Sequence, residues 1–361
     1  MRRFHIVKGS QIFFERTIQN IESYDVRYFS EMVRASDGAR QRGELYGEVA
    51  NTLIIKNTDY QGITVEANNR IETLVDEFTD EDSTIYVHNP SRRFEIILNE
   101  RSKTEIISEE YVVCSNNFSK KISNINSKIV GQERAKREIF PALNYLYQSG
   151  GSKKPYVILL YGKSSLGKTE LVREIAHEFY QDKVIEKHLS MFRSNSNQDY
   201  LFGSQPTSVT LAYDILERRS NLLFLDEFDK LPDFFLSTMY TLFDNKIFQD
   251  STYSVDISNM LIFLTANYES ERDILEKVGE PIYYRIDKFV KFEDFKTSDI
   301  QKILELEVNN RQADFSSFST IEKILEESKK VVSSHNENGR TIKKKVQEVI
   351  EREAVNSNNL F

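Results

Sequence analysis

The 361-residue chain lacks the features that mark secreted and membrane proteins. Its single cysteine, Cys114, excludes an internal disulfide, and such sparse cysteine usage is typical of a reducing cytosol. No run of about 18 apolar residues, the length of a membrane-spanning helix, occurs. The N-terminal sequence MRRFHIVKGSQIFFER has neither a long apolar stretch nor a small-residue cleavage site, so it does not resemble a signal peptide. These absences predict a soluble, cytoplasmic protein without membrane contact.

The chain also lacks a strong excess of positive charge. Its 48 basic and 56 acidic residues give a formal net charge of −8. Residues 1–128 contain 17 basic and 20 acidic residues, so this region is not a basic arm. Because proteins that bind nucleic acid nonspecifically present a basic surface, direct nucleic-acid binding is not indicated. The five histidines are scattered, and none lies in a cluster with the spacing of metal ligands.

Residues 1–118 contain short apolar segments and no motif of known chemistry. NTLII (51–55) and EYVVC (110–114) are predicted strands, and STIYVHNPSRRFEIIL (83–98) is predicted to form two strands around a turn. ETLVDEFTDED (72–82) is predicted to be a short helix that ends in an acidic loop. We therefore expect an α+β domain of unknown fold at 1–118. The polar, Asn/Ser-rich segment 119–128 is expected to be a linker.

The sequence YVILLYGKSSLGKTELVREIA (156–176) predicts a strand, a glycine-rich loop and a helix in succession. Its central part fits the P-loop pattern G-x-x-x-x-G-K-[ST], in which backbone N–H groups surround nucleotide phosphates. Lys168 would contact the β- and γ-phosphates, and the Thr169 hydroxyl would bind Mg²⁺. The predicted nucleotide-binding residues are Gly162, Lys163, Ser164, Ser165, Leu166, Gly167, Lys168 and Thr169.

Two further predicted strands end in polar residues. NLLFLDEFDK (221–230) has four apolar residues before Asp226 and Glu227, and MLIFLTANY (260–268) reaches Asn267. In open α/β folds, ligands bind at the carboxyl ends of the strands, so these side chains should lie near the P-loop. Asp226 would hold Mg²⁺, Glu227 would polarise the attacking water, and Asn267 would help to position it. The pattern therefore predicts hydrolysis of the nucleotide as well as binding.

Two arginines follow these motifs. Arg285 precedes a predicted strand, and Arg340 stands at the start of a predicted helix. Taken alone, each is most simply a solvated surface residue.

Residues from about 128 to 355 resemble a Clp/HslU-type AAA+ ATPase module. GKSSLGKT and LFLDEFDK resemble its Walker A and Walker B motifs, and TAN resembles its sensor 1, which implies that role for Asn267. IVGQERAKREI (129–139) resembles the opening motif, whose hydrophobic pair, here Ile129 and Val130, lies against adenine. YYRID resembles LNRID, whose arginine, here Arg285, reaches into the neighbouring subunit's site. NGRTIKKKVQ resembles GARPLRRAIQ, which implies that Arg340 is the sensor 2 residue.

The resemblance implies an architecture and a mode of action. It implies an AAA+ P-loop NTPase domain of the α/β class at 129–294, with a doubly wound parallel sheet between helical layers. A small all-α lid would follow at 295–355, with a tail at 356–361. It also implies ATP and Mg²⁺ as cofactors and a ring of subunits, usually six, that remodels proteins. Residues 1–118 would then bind a protein client or adaptor.

The chain departs from the family at the pore. Clp unfoldases grip polypeptide with an aromatic–Val–Gly loop, but DYLFGSQPTSVTLAYDILERRS (199–220) places Ser208 and Val209 near that tip. Tyr200 or Phe202 could serve as the gripping residue instead, but both are expected to pack under the loop. The tripeptide that docks a peptidase is missing. We therefore expect remodelling without processive threading. Two alternatives are an AAA+ motor on a nucleoprotein complex in replication, mobile-element or defence systems, and an ATP-controlled assembly switch.

Overall fold

The computed structural model describes residues 2–19, 21, 25–61, 70–101, 104–111, 116–148, 153–192, 198–203, 209–333 and 337–357. Within these ranges the chain forms two five-stranded parallel sheets with flanking helices, followed by a group of helices. No helix in the described part is both long enough and apolar enough to cross a membrane.

The first sheet is entirely parallel, with strand order β2-β3-β4-β1-β5. One face is covered by three helices whose Phe29, Val75 and Phe94 are buried against it, and the other face packs against Phe14 of the first helix. The elements are β1 (Arg3–Lys8), α1 (Gln11–Gln19), β2 (Val26–Tyr28), α2 (Phe29–Gln41), β3 (Ala50–Ile55), α3 (Asn57–Gln61), α4 (Ile71–Phe78), β4 (Thr79–His88), α5 (Arg92–Arg101) and β5 (Thr104–Ser108).

This sheet corrects three expectations for residues 1–118. Its strands alternate with helices and run parallel, so the domain is of the α/β type and not α+β. The strand at 51–55 is confirmed, and so is a helix within 72–82, which spans Ile71–Phe78; the acidic segment 79–82, expected to be a loop, lies in strand β4, and FEIIL lies in helix α5. Phe94 and Leu98 are four residues apart and both are buried, so the segment packs with helical spacing. The predicted strand EYVVC covers residues 110–114; Glu110 and Tyr111 are not in a strand, and residues 112–114 lie outside the described residues.

The segment expected to be a linker is also helical. Helix α6 (Phe118–Lys128) spans it, and Ile125 is fully buried against the second sheet's core. Phe118 and Ile122 pack against the same core, so apolar residues recur at helical spacing within a polar sequence.

The second sheet has the order β12-β6-β11-β8-β7, again with all strands parallel. Successive residues of β6 point to opposite faces: Val157 and Leu159 join one core, while Ile158 and Leu160 join the other. The strands are β6 (Tyr156–Tyr161), β7 (Ile185–His188), β8 (Leu222–Asp226), β11 (Leu261–Ala266) and β12 (Lys288–Lys291), with a separate antiparallel pair, β9 (Ile247–Gln249) and β10 (Ser254–Asp256).

Helices cover both faces of the second sheet. Helices α6, α7 and α8 contribute to one core, and α10, α11 and α12 contribute to the other. The helices after α6 are α7 (Glu133–Gln148), α8 (Lys168–Tyr180), α9 (Gln198–Phe202), α10 (Leu211–Leu216), α11 (Leu236–Asp244) and α12 (Glu271–Tyr283). A doubly wound α/β arrangement is therefore confirmed for this part of the chain.

The last helices share a hydrophobic core of their own. Leu304, Val308, Ile324, Ile342 and Val346 are buried in it. Its helices are α13 (Thr297–Asn310), α14 (Gln312–Phe315), α15 (Ile321–Val331) and α16 (Gly339–Ser357). This packing agrees with a small helical domain near 295–355, although the boundaries given above stay predictions.

Candidate nucleotide-binding site

The P-loop residues lie between the end of β6 and the start of α8. Gly162 has φ 137°, and a Cβ atom there would lie 2.5 Å from the backbone oxygen of Phe292, so a side chain is excluded. Gly167 has φ 93°, but a Cβ atom there would meet nothing within 4 Å. The loop therefore has one closely packed end and one open end, and the open end adjoins the N-terminus of a 13-residue helix, where anions bind favourably.

Lys168 is held inside the loop and is only 6% exposed. Its Nζ donates to the carbonyl oxygens of Gly162 at 2.6 Å and Lys163 at 2.7 Å, and to Asn267 Oδ1 at 3.1 Å. Burial lowers the pKa of Lys168 to about 8, against the opposing effect of Asp229 and Asp226. The structure thus brings Lys168 and Asn267 together, although they are 99 residues apart in the chain.

Oxygen donors converge beside the loop. The Thr169 hydroxyl donates to the Asp226 carboxylate at 3.3 and 3.4 Å. Asp226 is buried at the end of β8, and Glu227, half-buried, follows with the left-handed backbone conformation φ 59°. Hydroxyl and carboxylate oxygens in this arrangement are ligands that suit Mg²⁺.

Thr265 and His188 contact Asp226 and were missed by the sequence reasoning. The Thr265 hydroxyl forms a short hydrogen bond to Asp226 Oδ1 and accepts one from the Glu227 backbone N–H at 3.1 Å. His188 Nδ1 lies 3.4 Å from Asp226 Oδ2. Both belong to the strands that flank β8, so the only available signal was their position at strand ends. Sequence spacing does not show which strands are neighbours.

The opening motif lies against the P-loop. Ile129 is buried, and Val130 is half-buried. The Gln132 side chain donates to the backbone oxygen of Leu166 at 3.3 Å and to that of Glu293 at 2.8 Å. These bonds join the motif to the loop and to the chain just after β12.

The helical domain also reaches the loop. The Gly339 N–H at the start of α16 donates to the Ser165 oxygen at 3.0 Å. Lys163 pairs at 2.6 Å with Asp294, which lies between β12 and α13. Arg340 follows Gly339 directly and is exposed. Of the remaining loop residues, Ser164 is exposed and Leu166 is buried.

Comparisons with known proteins show what this part of the chain is similar to. Residues 158–294 match the family model described as ATPase family associated with various cellular activities (AAA). Chaperone protein ClpB of Prochlorococcus marinus is 23% identical over 220 residues, which cover 52% of this chain and 26% of that protein. The chloroplastic ClpA homolog of Brassica napus, an ATP-binding subunit of the ATP-dependent Clp protease, is 23% identical over 218 residues, 55% of this chain and 24% of that protein.

A closed-state cryo-EM reconstruction of Hsp104 with ATPγS and FITC casein has a similar fold, with a TM-score of 0.54 and 15% identity. The alignment covers 92% of this chain and 64% of that chain. The chain contains an AAA domain that is similar to those of Clp proteins. It spans about a quarter of the length of the curated relatives named above.

Arg285 lies apart from the other predicted site residues of the AAA domain. Its Nε is 3.4 Å from Asp244 Oδ2, its guanidinium lies 5.2 Å from the centre of the Tyr240 ring, and one terminal nitrogen donates to the Pro281 oxygen at 2.6 Å. These partners belong to α11 and α12. Within one chain, the structure therefore does not bring Arg285 together with the P-loop.

The candidate pore segment of the AAA domain is only partly described. Ser208 lies outside the described residues, while Val209 is 51% exposed. The Tyr200 hydroxyl donates to Asp214 Oδ2 at 2.6 Å, and Lys187 Nζ lies 5.0 Å from the centre of its ring. Phe202 is 41% exposed and stacks against Phe235, with a centroid distance of 6.2 Å. Tyr200 thus packs against its neighbours and Phe202 is partly accessible; their place under the pore loop stays a prediction, because residues 204–208 lie outside the described residues.

The turn after β1 in the first sheet contacts the AAA domain. The Gln11 N–H donates to Glu217 Oε2 at 2.8 Å, and Asn89 Nδ2 donates to Glu217 Oε1 at 2.9 Å. Ser10 N–H donates to Glu109 Oε2 at 2.7 Å. Burial lowers the pKa of His88, 3.5 Å from Glu217, to about 4, so this histidine is neutral at neutral pH. Carboxylates of the protein therefore occupy the N-terminus of α1.

Proposed function

We propose that this protein binds ATP with Mg²⁺ and hydrolyses it. The observation that carries the proposal is the convergence of Lys168, Thr169, Asp226, Glu227 and Asn267 at one edge of the second sheet. Phosphoryl transfer depends on positioning and charge stabilisation, and these five side chains supply a cation, a metal-ligand pair, a carboxylate base and an amide.

The residues present fit a magnesium nucleotide. The open side of Gly167 leaves room for phosphates, and the Thr169 and Asp226 oxygens would hold Mg²⁺. The metal would supply charge neutralisation at the β- and γ-phosphates. Lys168 would exchange its contacts with loop carbonyls for contacts with phosphate oxygens. Glu227 would accept the proton of the attacking water, while Asn267 orients that water.

Adenine would lie against Ile129 and Val130. Gln132 ties their segment to the loop, so the adenine and phosphate positions are fixed relative to each other. Arg340 would reach the phosphates from the lid, because Gly339 is already bonded to Ser165. Nucleotide binding would thereby couple the lid to the large domain.

We further propose that turnover drives the remodelling of a protein or protein complex by a ring of subunits, usually six in this family. The relatives named above are chaperone and Clp protease subunits, which supports protein as the substrate class. Arg285 would complete the site of a neighbouring subunit, because its contacts lie away from the P-loop of its own chain. Residues 1–118 would bind the client or adaptor, in the cytoplasm.

Classical threading is not part of the proposal. A pore residue must hold polypeptide against a restoring force, and an aromatic side chain does so by burying a large apolar face. Tyr200 is engaged by Asp214 and Lys187, and exposed Val209 offers less area. The same observation favours the second candidate, an AAA+ motor or ATP-controlled switch on a nucleoprotein complex.

Stimulation of ATP turnover separates these functions. Turnover should rise with an unfolded protein such as casein, and not with DNA, if the client is a protein. Stimulation by DNA alone would favour the nucleoprotein motor, and stimulation by neither would favour the switch. A stably folded fluorescent protein should keep its signal during incubation with enzyme and ATP, and its loss would contradict the absence of threading.

Mixing two inactive variants tests the ring. Neither Arg285→Ala nor Glu227→Gln should turn over ATP alone, but a mixed ring contains interfaces with a normal Glu227 and a normal Arg285. Recovered activity supports action between subunits. A strict monomer in light scattering at micromolar protein with ATP would contradict the ring.

A further inference from the structure

Three potential metal ligands lie together at the exposed edge of the second sheet. Glu186 and His188 are two residues apart on β7, so their side chains leave the same face of the strand. His188 pairs in register with Asp226 on β8. One ligand atom from each of the three residues lies within 4.8 Å of the other two.

The histidine nitrogens face a carboxylate on each side. His188 Nδ1 is 3.4 Å from Asp226 Oδ2, and His188 Nε2 is 3.6 Å from Glu186 Oε1. Both distances exceed that of an ordinary N–H···O hydrogen bond. Zinc with bonds of about 2.0–2.2 Å holds its ligands roughly 3–4 Å apart, so small side-chain movements would bring the three groups to one ion.

The ligand set distinguishes between classes of cation. Magnesium prefers oxygen ligands in octahedral geometry, whereas an imidazole nitrogen with carboxylates suits zinc and its neighbours in the transition series. Asp226 is already oriented by hydrogen bonds from Thr169, Thr265 and the Glu227 backbone. Such outer contacts favour metal binding because they hold the ligand in place.

We propose that Glu186, His188 and Asp226 form a binding site for a divalent transition metal of the zinc class, distinct from the magnesium site but sharing Asp226 with it. Arg173 pairs with Glu186 at 2.7 Å. When the metal binds, the Glu186 carboxylate must therefore leave Arg173 or contact both Arg173 and the metal. The consequence for turnover rests on the proposed ATPase function: a metal that takes Asp226 removes it from Mg²⁺ and inhibits hydrolysis.

Metal binding is tested first without nucleotide, on the full chain. Calorimetric titration with Zn²⁺, and with Co²⁺ for its visible absorption, should give one site per chain. His188→Asn should weaken binding on the order of tenfold or more and remove the cobalt absorption, because it deletes the nitrogen ligand. Glu186→Gln should weaken binding as well.

The matched control is His177→Asn. His177 also faces a carboxylate, with Nδ1 2.9 Å from Asp182 Oδ2, and is similarly exposed, but it lies on α8 and does not belong to the group of Glu186, His188 and Asp226. This variant should bind Zn²⁺ as the wild type does. Equal binding by His188→Asn and wild type, or equal loss in both histidine variants, would overturn the proposal.

Inhibition is tested second, in saturating MgATP at fixed free Zn²⁺, with each variant compared with its own rate in Mg²⁺ alone. Zinc should inhibit ATP turnover by the wild type and by His177→Asn. The free Zn²⁺ concentration that inhibits His188→Asn should be about tenfold higher. Zinc-insensitive turnover in a zinc-loaded wild type would overturn the sharing of Asp226. A chain that binds zinc through His188 but hydrolyses no ATP would leave the metal site intact and refute the ATPase proposal instead.

Discussion

The two sheets have the same strand order, yet their carboxyl edges differ in chemistry. In each, the strands follow the order fifth, first, fourth, third and second in the chain. A glycine with positive φ comes directly after the first strand, Gly9 in one and Gly162 in the other. An asparagine comes directly after the fourth strand, Asn89 and Asn267. The likeness thus extends from topology to single positions.

The difference begins in the turn after the first strand. Six residues, 162–167, separate β6 from α8, whereas only Gly9 and Ser10 separate β1 from α1. Six residues can curl around a phosphate, but two residues cannot. The anion at the start of α1 is instead a pair of protein carboxylates, Glu109 and Glu217.

The third strands differ as well. Strand β8 ends in Asp226 followed by Glu227, whereas β3 is followed by Lys56 and Asn57. We call the carboxyl ends of the strands the first edge in the first sheet and the second edge in the second sheet. After its third strand, the first edge has no carboxylates at the position where the second edge has its predicted metal ligand and base. The same topology therefore carries a candidate catalytic site in the second sheet and, in the first sheet, a contact with Glu217 of the AAA domain. This difference indicates that the chemistry depends on the residues at the carboxyl ends of the strands and not on the fold.

The largest expected effect is on ATP turnover, which should depend on the second edge and not on the first. Glu227→Gln should lower ATP turnover roughly 10²- to 10⁴-fold, because it removes the base and leaves Asp226 and Lys168 in place. Nucleotide affinity should change only a few-fold. Steady-state phosphate release and equilibrium nucleotide binding measure the two quantities. The matched change at the first edge, Lys56→Gln, should leave ATP turnover intact. ATP turnover at the wild-type rate in Glu227→Gln would refute the assignment of Glu227 as the base.

The second prediction concerns stoichiometry. Calorimetric titration with ADP should show one site per chain, because only the second edge has a P-loop. Lys168→Ala should weaken binding roughly 10- to 100-fold through loss of charge-assisted hydrogen bonds. Lys8→Ala, which removes the lysine before Gly9, should have no such effect. Two equivalent sites per chain would show that the first edge binds nucleotide too.

The sequence predicted the second edge better than the first for a physical reason. A P-loop and a strand that ends in Asp226 and Glu227 are local patterns, readable within about 20 residues. The contact of Asn89 with Glu217 joins residues that are 128 apart in the chain, and no local sequence pattern predicts it. Thr265 and His188 were missed in the same way, because their roles depend on which strands are adjacent. Helix α6 was missed because its polar composition obscured the spacing of three apolar residues.

The third prediction tests the docking at the first edge. Glu217→Ala should destabilise this contact by about 1–3 kcal/mol, because it removes two hydrogen bonds to a carboxylate, one from the Gln11 N–H and one from the Asn89 amide, which then keeps its bond to the Gly9 oxygen. Hydrogen exchange at the start of α1 should speed up accordingly. Glu217→Gln should have a smaller effect, because its amide oxygen still accepts one bond.

The control for this docking test is Glu276→Ala, which removes an exposed glutamate that pairs with Arg272 on its own helix. It should leave exchange in α1 unchanged. Unchanged exchange in Glu217→Ala as well would mean that the carboxylate does not hold the first edge.

The smallest effect should appear in the pH dependence of nucleotide binding, and only the second edge has the residue to produce it. The pKa of Lys168 is lowered to about 8 by burial, so the free site loses its positive charge as the pH rises through 8. Phosphates favour the charged lysine and raise this pKa, so binding above pH 8 takes up a proton. ADP affinity should therefore fall by roughly tenfold at most between pH 7 and pH 9. Calorimetry in buffers of different ionisation enthalpy measures the proton uptake directly. Lys168→Arg keeps its charge over this range and should remove both effects; a wild type with pH-independent affinity and no proton uptake would mean that Lys168 stays charged in the free site.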